Sequence, residues 1–395
     1  MYETADGGSL MGTAVMVIGI VAMIVVHEGA HFVAAKGFGM KATEAFFGFG
    51  PRIWSTTRGE TEYGIKAIPL GGYVRIIGMN PFEEVPAEDE GRTYRNSVFW
   101  KKSVVVLAGV FSHFVMATLL LITIFLVWGE VATNEAGDPI PTLTLATIAP
   151  TTPSGEEAPS VIAGFQAGDV LESYQGVPVT SWYDFVDRIS PDGGETVLIG
   201  YSRNGTPAEA LTTLAFRERA VVVDDVVATD EAGNVVYEEV GYFGAAPAVE
   251  RVKPGIFGVV GAAYGGIAEA AVQSVYGLWR MVIGFPQLIF SVFSGGEEGI
   301  DEVRPISPIG LVRLAGPMES TLTLLALVNV FVGILNFIPL YPLDGGHFAV
   351  ALYEKIRGRV PDVRKLMPVA AVVVVFLITV GLMGVYLDIF RPLQL

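Results

Sequence analysis

At 395 residues, with 51% hydrophobic and only 17% charged side chains and a mean hydropathy of +0.52, the chain is too apolar for an ordinary soluble protein and reads as a membrane protein. Its formal charge of −16, from 25 Lys+Arg against 41 Asp+Glu, argues against a nucleic-acid partner. The absence of cysteine excludes disulfides, thiol catalysis and cysteine-bound metals.

The first predicted element is an apolar run from Leu10 to Ala35, long enough to cross a bilayer as a helix. The preceding "MYETADGGSL" carries Glu3 and Asp6 and no Lys or Arg, and no small-residue cleavage site stands out, so a retained helix is expected rather than a cleaved leader. Two of the chain's four histidines, His27 and His31, stand at the end of this run in "HEGAH". Four residues apart on a helix, they share one face, and Glu28 sits about 100° around from His27. H-E-x-x-H on a helix is the signature of a zinc hydrolase, with two imidazole ligands and a carboxylate placed to take a proton from water. Ionisable groups are rare in a spanning helix and mark functional sites, so three within five residues argue against a chance match. From Leu10 the helix climbs roughly 25 Å to reach His27, which places the group toward the cytoplasmic side of the hydrocarbon.

The segment from 37 to 102 is expected to be cytoplasmic, because Lys36, Lys41, Arg52, Arg58, Lys66, Arg75, Arg92, Arg95, Lys101 and Lys102 follow the first run. Within it, "TEYGIKAIPLGGYVRIIGM" at 61–79 is rich in Ile, Val and Tyr with paired glycines, which predicts strands or a β-loop. A second spanning run follows from Ser103 to Trp128 and contains His113, expected as a hydrogen-bonded packing residue.

The region 129–255 has six basic residues against about twenty acidic ones and is expected outside the membrane. After a polar loop at 151–160 it carries a turn at Gly168-Asp169, a strand from Val170 to Tyr174, a turn glycine at Gly176 and an amphipathic helix from Ser181 to Ile189. A module of this kind binds an extended peptide at a sheet edge. A hairpin turning at Gly233-Asn234 is expected behind it.

Ile256 to Phe293 is apolar enough to suggest a further crossing, but Glu269, Gln273 and Arg280 fall on roughly one face, which fits a helix lying in the interface within a 256–318 linker. Parity favours the same reading, since one more crossing would carry Asp344 to the opposite side from His27 and His31. The third run, about Ser320 to Leu340 in a segment 319–348, closes in "ILNFIPLYPLDGGHFAV". Pro339 and Pro342 end the helix, and Gly345 and Gly346 let the chain turn into a new one. Asp344 offers a hard oxygen ligand there, and His347 is the competing candidate. A loop over 349–365 with Lys355, Arg357, Arg359, Arg364 and Lys365 returns the chain to the cytoplasmic side, and the last run spans Leu366 to Leu387 within 366–395.

Taken together, "HEGAH", "FGFGP" at 47–51, "IPLGGYVRIIGM" at 68–79, the inserted module and "NFIPLYPLDGG" resemble the site-2 protease family of intramembrane zinc metalloproteases (peptidase M50), most nearly its bacterial regulator-of-sigma, RseP-type branch with one PDZ domain. That resemblance implies a polytopic α-helical membrane protein with four transmembrane helices, a membrane-associated β-loop and an extracytoplasmic PDZ-like α+β domain. It implies Zn2+ held by His27, His31 and Asp344, with Glu28 as catalytic base. It also implies that Asn336 holds the scissile segment or stabilises the oxyanion, and that the loop bearing Gly71, Gly72 and Tyr73 pairs with unwound substrate. The implied substrates are single-pass membrane proteins such as anti-sigma factors, or signal-peptide remnants, cleaved in the bacterial inner membrane. The second run departs from the family's A-G-P-x-x-N element, reading "LAGVFSHF" with Val110 and His113 at the Pro and Asn places.

Two other classes compete: a non-catalytic membrane scaffold that binds partners through its inserted module, and a transporter using the buried ligands as a pathway. Glu28 beside three candidate ligands speaks against the first, and a lone HExxH with one partner against the second.

Overall fold

The computed structural model describes residues 5–80, 83–223, 226–230, 235–294, 304–359 and 361–391. By internal contacts the chain divides into two compact units, one formed by 1–128 with 254–395 and the other by 129–253.

In the first unit, α1 (Ala5–Gly37), α2 (Phe99–Val127), α4 (Ile256–Ser294), α6 (Met318–Phe337) and α8 (Met367–Phe390) are each long and apolar enough to cross a membrane. By length and composition alone this makes five, where the sequence predicts four with 256–293 in the interface. This unit also holds the shorter α5 (Pro308–Arg313) and α7 (Asp344–Arg357). Most of 349–365, expected as a loop, is therefore the body of α7. Glycines 345 and 346 fit so closely under the preceding turn that a Cβ on either would strike backbone of 337–341, and this lets the chain re-enter a helix at once.

Between α1 and α2 runs a β-hairpin, β1 (Ala42–Arg58) and β2 (Thr61–Ile76). In this segment the sequence predicts strands over 61–79 alone, and β1 lies outside that range. The register folds the hairpin back on itself: Ala45 faces Val74 on one side and Tyr63 on the other, while Arg58 meets Thr61 at the turn. The resulting sheet has 72–76 at one margin, and no further strand pairs with that margin among the described residues. The base of the hairpin is packed on the bundle by Ala35, Met40, Ala42, Ile76, Val105 and Val106, all buried together. Ion pairs brace it as well. Glu60 takes both Arg92 (2.7 Å) and Lys36 at the end of α1, and these side-chain bonds hold its carboxyl down at about 2.

The helices pack closely. Ala117, Ala270 and Val330 meet between α2, α4 and α6, and Ala263 lies with Leu121, Ile124 and Ala326. Farther along α4, Leu288 packs on Leu387 of α8. Beside it Asp388 accepts from the Ser307 backbone (2.8 Å) and Oγ and from Arg304, which ties α8 to the start of α5.

The second unit is a sheet in the order β9 (Ala245–Val249), β3 (Pro141–Ile148), β4 (Val170–Tyr174), β5 (Thr196–Arg203), β6 (Thr206–Thr213), with α3 (Trp182–Ile189) packed on it and the separate pair β7 (Ala215–Ala220) with β8 (Tyr237–Tyr242). Helix α3 starts where its sequence directs, with Ser181 accepting from the Asp184 amide as N-cap. It buries Phe185 and Ile189 in a core with Leu171, Tyr174, Ile199 and Phe243. Asp169, in the turn before β4, is buried and bound by Arg203 at 2.7 Å. The expected turn at Gly233-Asn234 lies outside the described residues.

Candidate metal centre and cleft

The site is assembled from the end of α1, the middle of α2 and the start of α7. His27 and His31 project from α1 one turn apart. Pro339 and Pro342 close α6, so the chain turns through an extended Leu343 and presents Asp344 as the first residue of α7. The three residues converge: His27 Nε2 and His31 Nε2 are 3.3 Å apart, and Asp344 Oδ2 lies 3.5 Å from the first and 3.4 Å from the second. A tetrahedral zinc with bonds of about 2.0–2.1 Å has ligand–ligand edges of roughly 3.3–3.4 Å, so these donors fit three corners of such a shell and leave the fourth open. Asp344 Oδ2 is buried without a hydrogen-bond partner among the described residues.

The surroundings fix His31. His31 Nδ1 donates to the Val105 carbonyl at 2.8 Å, which leaves the Nε2 lone pair facing its partners. The neighbour on α2 has to be glycine, because a Cβ on Gly109 would stand 2.2 Å from His31 Nε2 and 2.7 Å from His27 Cε1.

Glu28 points to the other side of the pair, against Gly72 and Val74 on the free margin of the hairpin sheet. It borders a cavity of about 340 Å³ between α1 and the hairpin, whose walls include Ile24, Phe32, Trp54, Tyr63 and Val74. Apart from Glu28 its lining is mostly apolar. A reacting group seated there would have the imidazole–carboxylate cluster on one side of Glu28 and an unpaired strand on the other.

The remaining sequence-derived candidates fall differently. Gly72 is in the cleft, and Gly71 holds the left-handed backbone (φ +94°) just before the free margin. Tyr73 also lines the cavity, yet its ring stacks on Phe46 and Phe49 and its hydroxyl is bound between Glu44 and Lys66. Asn336 is half-buried one residue before the end of α6 and outside the donor cluster. His347 sits in the first turn of α7 with its ring on Tyr341 (4.6 Å) and is not one of the converging donors. The sequence reading missed Gly109 and the aromatic wall of Phe32 and Tyr63. Spacing on α2 held a usable signal for the first, since Gly109 and His113 share one helical face.

The model of peptidase family M50 matches residues 15–380. The chain belongs to peptidase family M50. The M50 match covers both histidines, Glu28 and Asp344. Among individual relatives, zinc metalloprotease Rip1 of Mycolicibacterium smegmatis is 30% identical over 98% of this chain and 98% of its own. Zinc metalloprotease Rip1 of Mycobacterium tuberculosis strain H37Rv is 29% identical over 97% of this chain and 98% of its own. As a member of the site-2 protease family the chain is a zinc metalloprotease, and its several apolar helices make it a multi-pass membrane protein.

Proposed function

We propose that this M50 protease cuts peptide bonds within or beside the membrane-spanning segments of other membrane proteins, using zinc held by His27, His31 and Asp344 and with Glu28 as general base. The observation that carries the reading is the convergence of those three donors to 3.3–3.5 Å at the end of a spanning helix, with an unpaired strand margin beside Glu28. Zinc supplies the Lewis acidity that polarises a peptide carbonyl and makes water acidic. Glu28 takes the proton of the attacking water and passes it to the departing amine. A helix hides its carbonyls in hydrogen bonds, so the substrate has to unwind. Pairing with the 72–76 margin holds the opened segment extended beside Glu28, and the apolar cavity receives one of its side chains. Asn336 steadies that segment from the α6 side.

The topology that fits is four crossings in the bacterial cytoplasmic membrane, with the start of α1 and the 129–253 unit outside and 37–102 inside. Packing supports α4 as a helix within the outer part of the membrane rather than a fifth crossing. Its Ala263 meets Leu121 near the outer end of α2, and its Leu288 meets Leu387 near the outer end of α8. The 129–253 unit acts as a PDZ-like peptide binder that admits substrates already trimmed outside, anti-sigma factors and signal-peptide remnants being the class the family suggests.

A reconstituted cleavage assay tests this. Proline disfavours a helix interior by about 3 kcal/mol, so placing one near the cut in a Leu-rich substrate segment should raise the rate between tenfold and roughly hundredfold. Mass spectrometry should place the cut inside the apolar segment. Equal rates for both substrates, or cuts confined to soluble loops, would overturn the reading.

A further inference from the structure

The fourth histidine has no part in the cluster just described, yet it lies against it. His113, on α2 one turn beyond Gly109, is only 2% exposed. Its ring lies over that of His27, with centroids 4.8 Å apart and planes tilted by 34°. Its protonation pattern can be read from its neighbours. Asn329 of α6 donates through Nδ2 to the Leu325 carbonyl at 2.8 Å, and a carbonyl can only accept. The amide is thereby oriented with Oδ1 toward His113 Nδ1 at 3.2 Å, so Nδ1 carries the hydrogen and donates. Nε2 is then a bare lone pair, buried and without a partner among the described residues.

Apolar packing alone does not account for such a group, because a buried acceptor without a donor is a standing cost that a Leu or Phe would avoid. The ring joins three elements around the centre. It grows from α2, which carries Gly109. It is tethered to α6, which leads to Asp344. It covers the ring of His27 on α1. We propose that His113 is a positioning residue of the metal centre: tethered by Asn329, its ring holds the His27 imidazole in the metal-facing orientation. The proposal rests on the assignment of His27, His31 and Asp344 as the ligands.

The test uses the full-length purified protein, loaded with zinc, and the variants His113→Asn and His113→Phe. The first shortens the side chain and removes the ring while keeping a polar group for Asn329. The second keeps a ring against His27 but cannot donate to Asn329. Zinc loss to excess chelator is followed together with the melting temperature of the metal-free proteins. Supporting residues around a bound metal affect affinity by about 10–100-fold, so zinc loss should accelerate at least tenfold in both variants. The metal-free melting temperatures should stay close to the parent. Zinc loss at the parent rate in a folded variant, or acceleration only in proportion to a lower metal-free melting temperature, would overturn the proposal. If one variant fails to fold, the other decides. A His27→Ala control separates the levels: zinc retained there at parental affinity refutes the ligand assignment itself, independently of what His113 does.

Discussion

Glu28→Gln should leave zinc bound at the parental level and lower kcat by about 10²–10⁴-fold, the usual contribution of a positioned general base. The amide has nearly the same shape as the carboxyl, so the contacts with Gly72 and Val74 persist and the hairpin stays in place. What is lost is the capacity to take a proton. KM should change little, because the cavity walls of Phe32, Trp54 and Tyr63 are untouched. Metal analysis and steady-state kinetics on the same preparation check both halves. Unchanged cleavage, or loss of zinc together with activity, would remove Glu28 from the role assigned to it. This comparison also disposes of the scaffold alternative, for which the substitution has no consequence.

Asp344→Ala is expected to have a still larger effect of a different kind. Among the described residues the carboxylate is the one converging donor that does not come from α1, and its Oδ2 reaches both imidazoles within 3.5 Å. Without it two imidazoles remain, and zinc affinity should fall by more than the roughly hundredfold that marks the loss of a supporting residue. The parent protein should melt at a lower temperature after treatment with chelator, because binding to the folded state alone adds to stability. The variant should show no such difference, since it holds no metal to lose. Differential scanning fluorimetry with and without chelator reads this directly. A variant that still melts higher with zinc and still cleaves would transfer the third position to another residue, His347 being the first to examine.

How much of this was legible beforehand differs from one part to another, for physical reasons. The histidine pair and Glu28 could be placed because a helix has one period, so residues 27, 28 and 31 have fixed relative directions once the run is helical. Asp344 could be placed because helix-ending prolines and a glycine pair bracket it at the closing end of a spanning run. The helix over 182–189 and the strand over 170–174 follow from local capping and alternation around Ser181 and Gly168. The double pairing of the hairpin was not legible. β1 contains Gly48, Gly50 and Pro51, which read as breaks, and only its contacts with both 61–65 and 72–76 make it a strand. The contact of His113 with His27 was equally hidden, since nothing in the spacing of residues 27 and 113 says that α1 and α2 meet at that level.

The most direct measurement is the anomalous scattering of the bound ion at the zinc edge, in crystals of the full-length protein. The account predicts one peak about 2.0–2.2 Å from His27 Nε2, His31 Nε2 and an Asp344 carboxylate oxygen, with Glu28 adjacent but not bonded to it. A peak bound by His347 in place of Asp344, or lying away from the two α1 histidines, would contradict it.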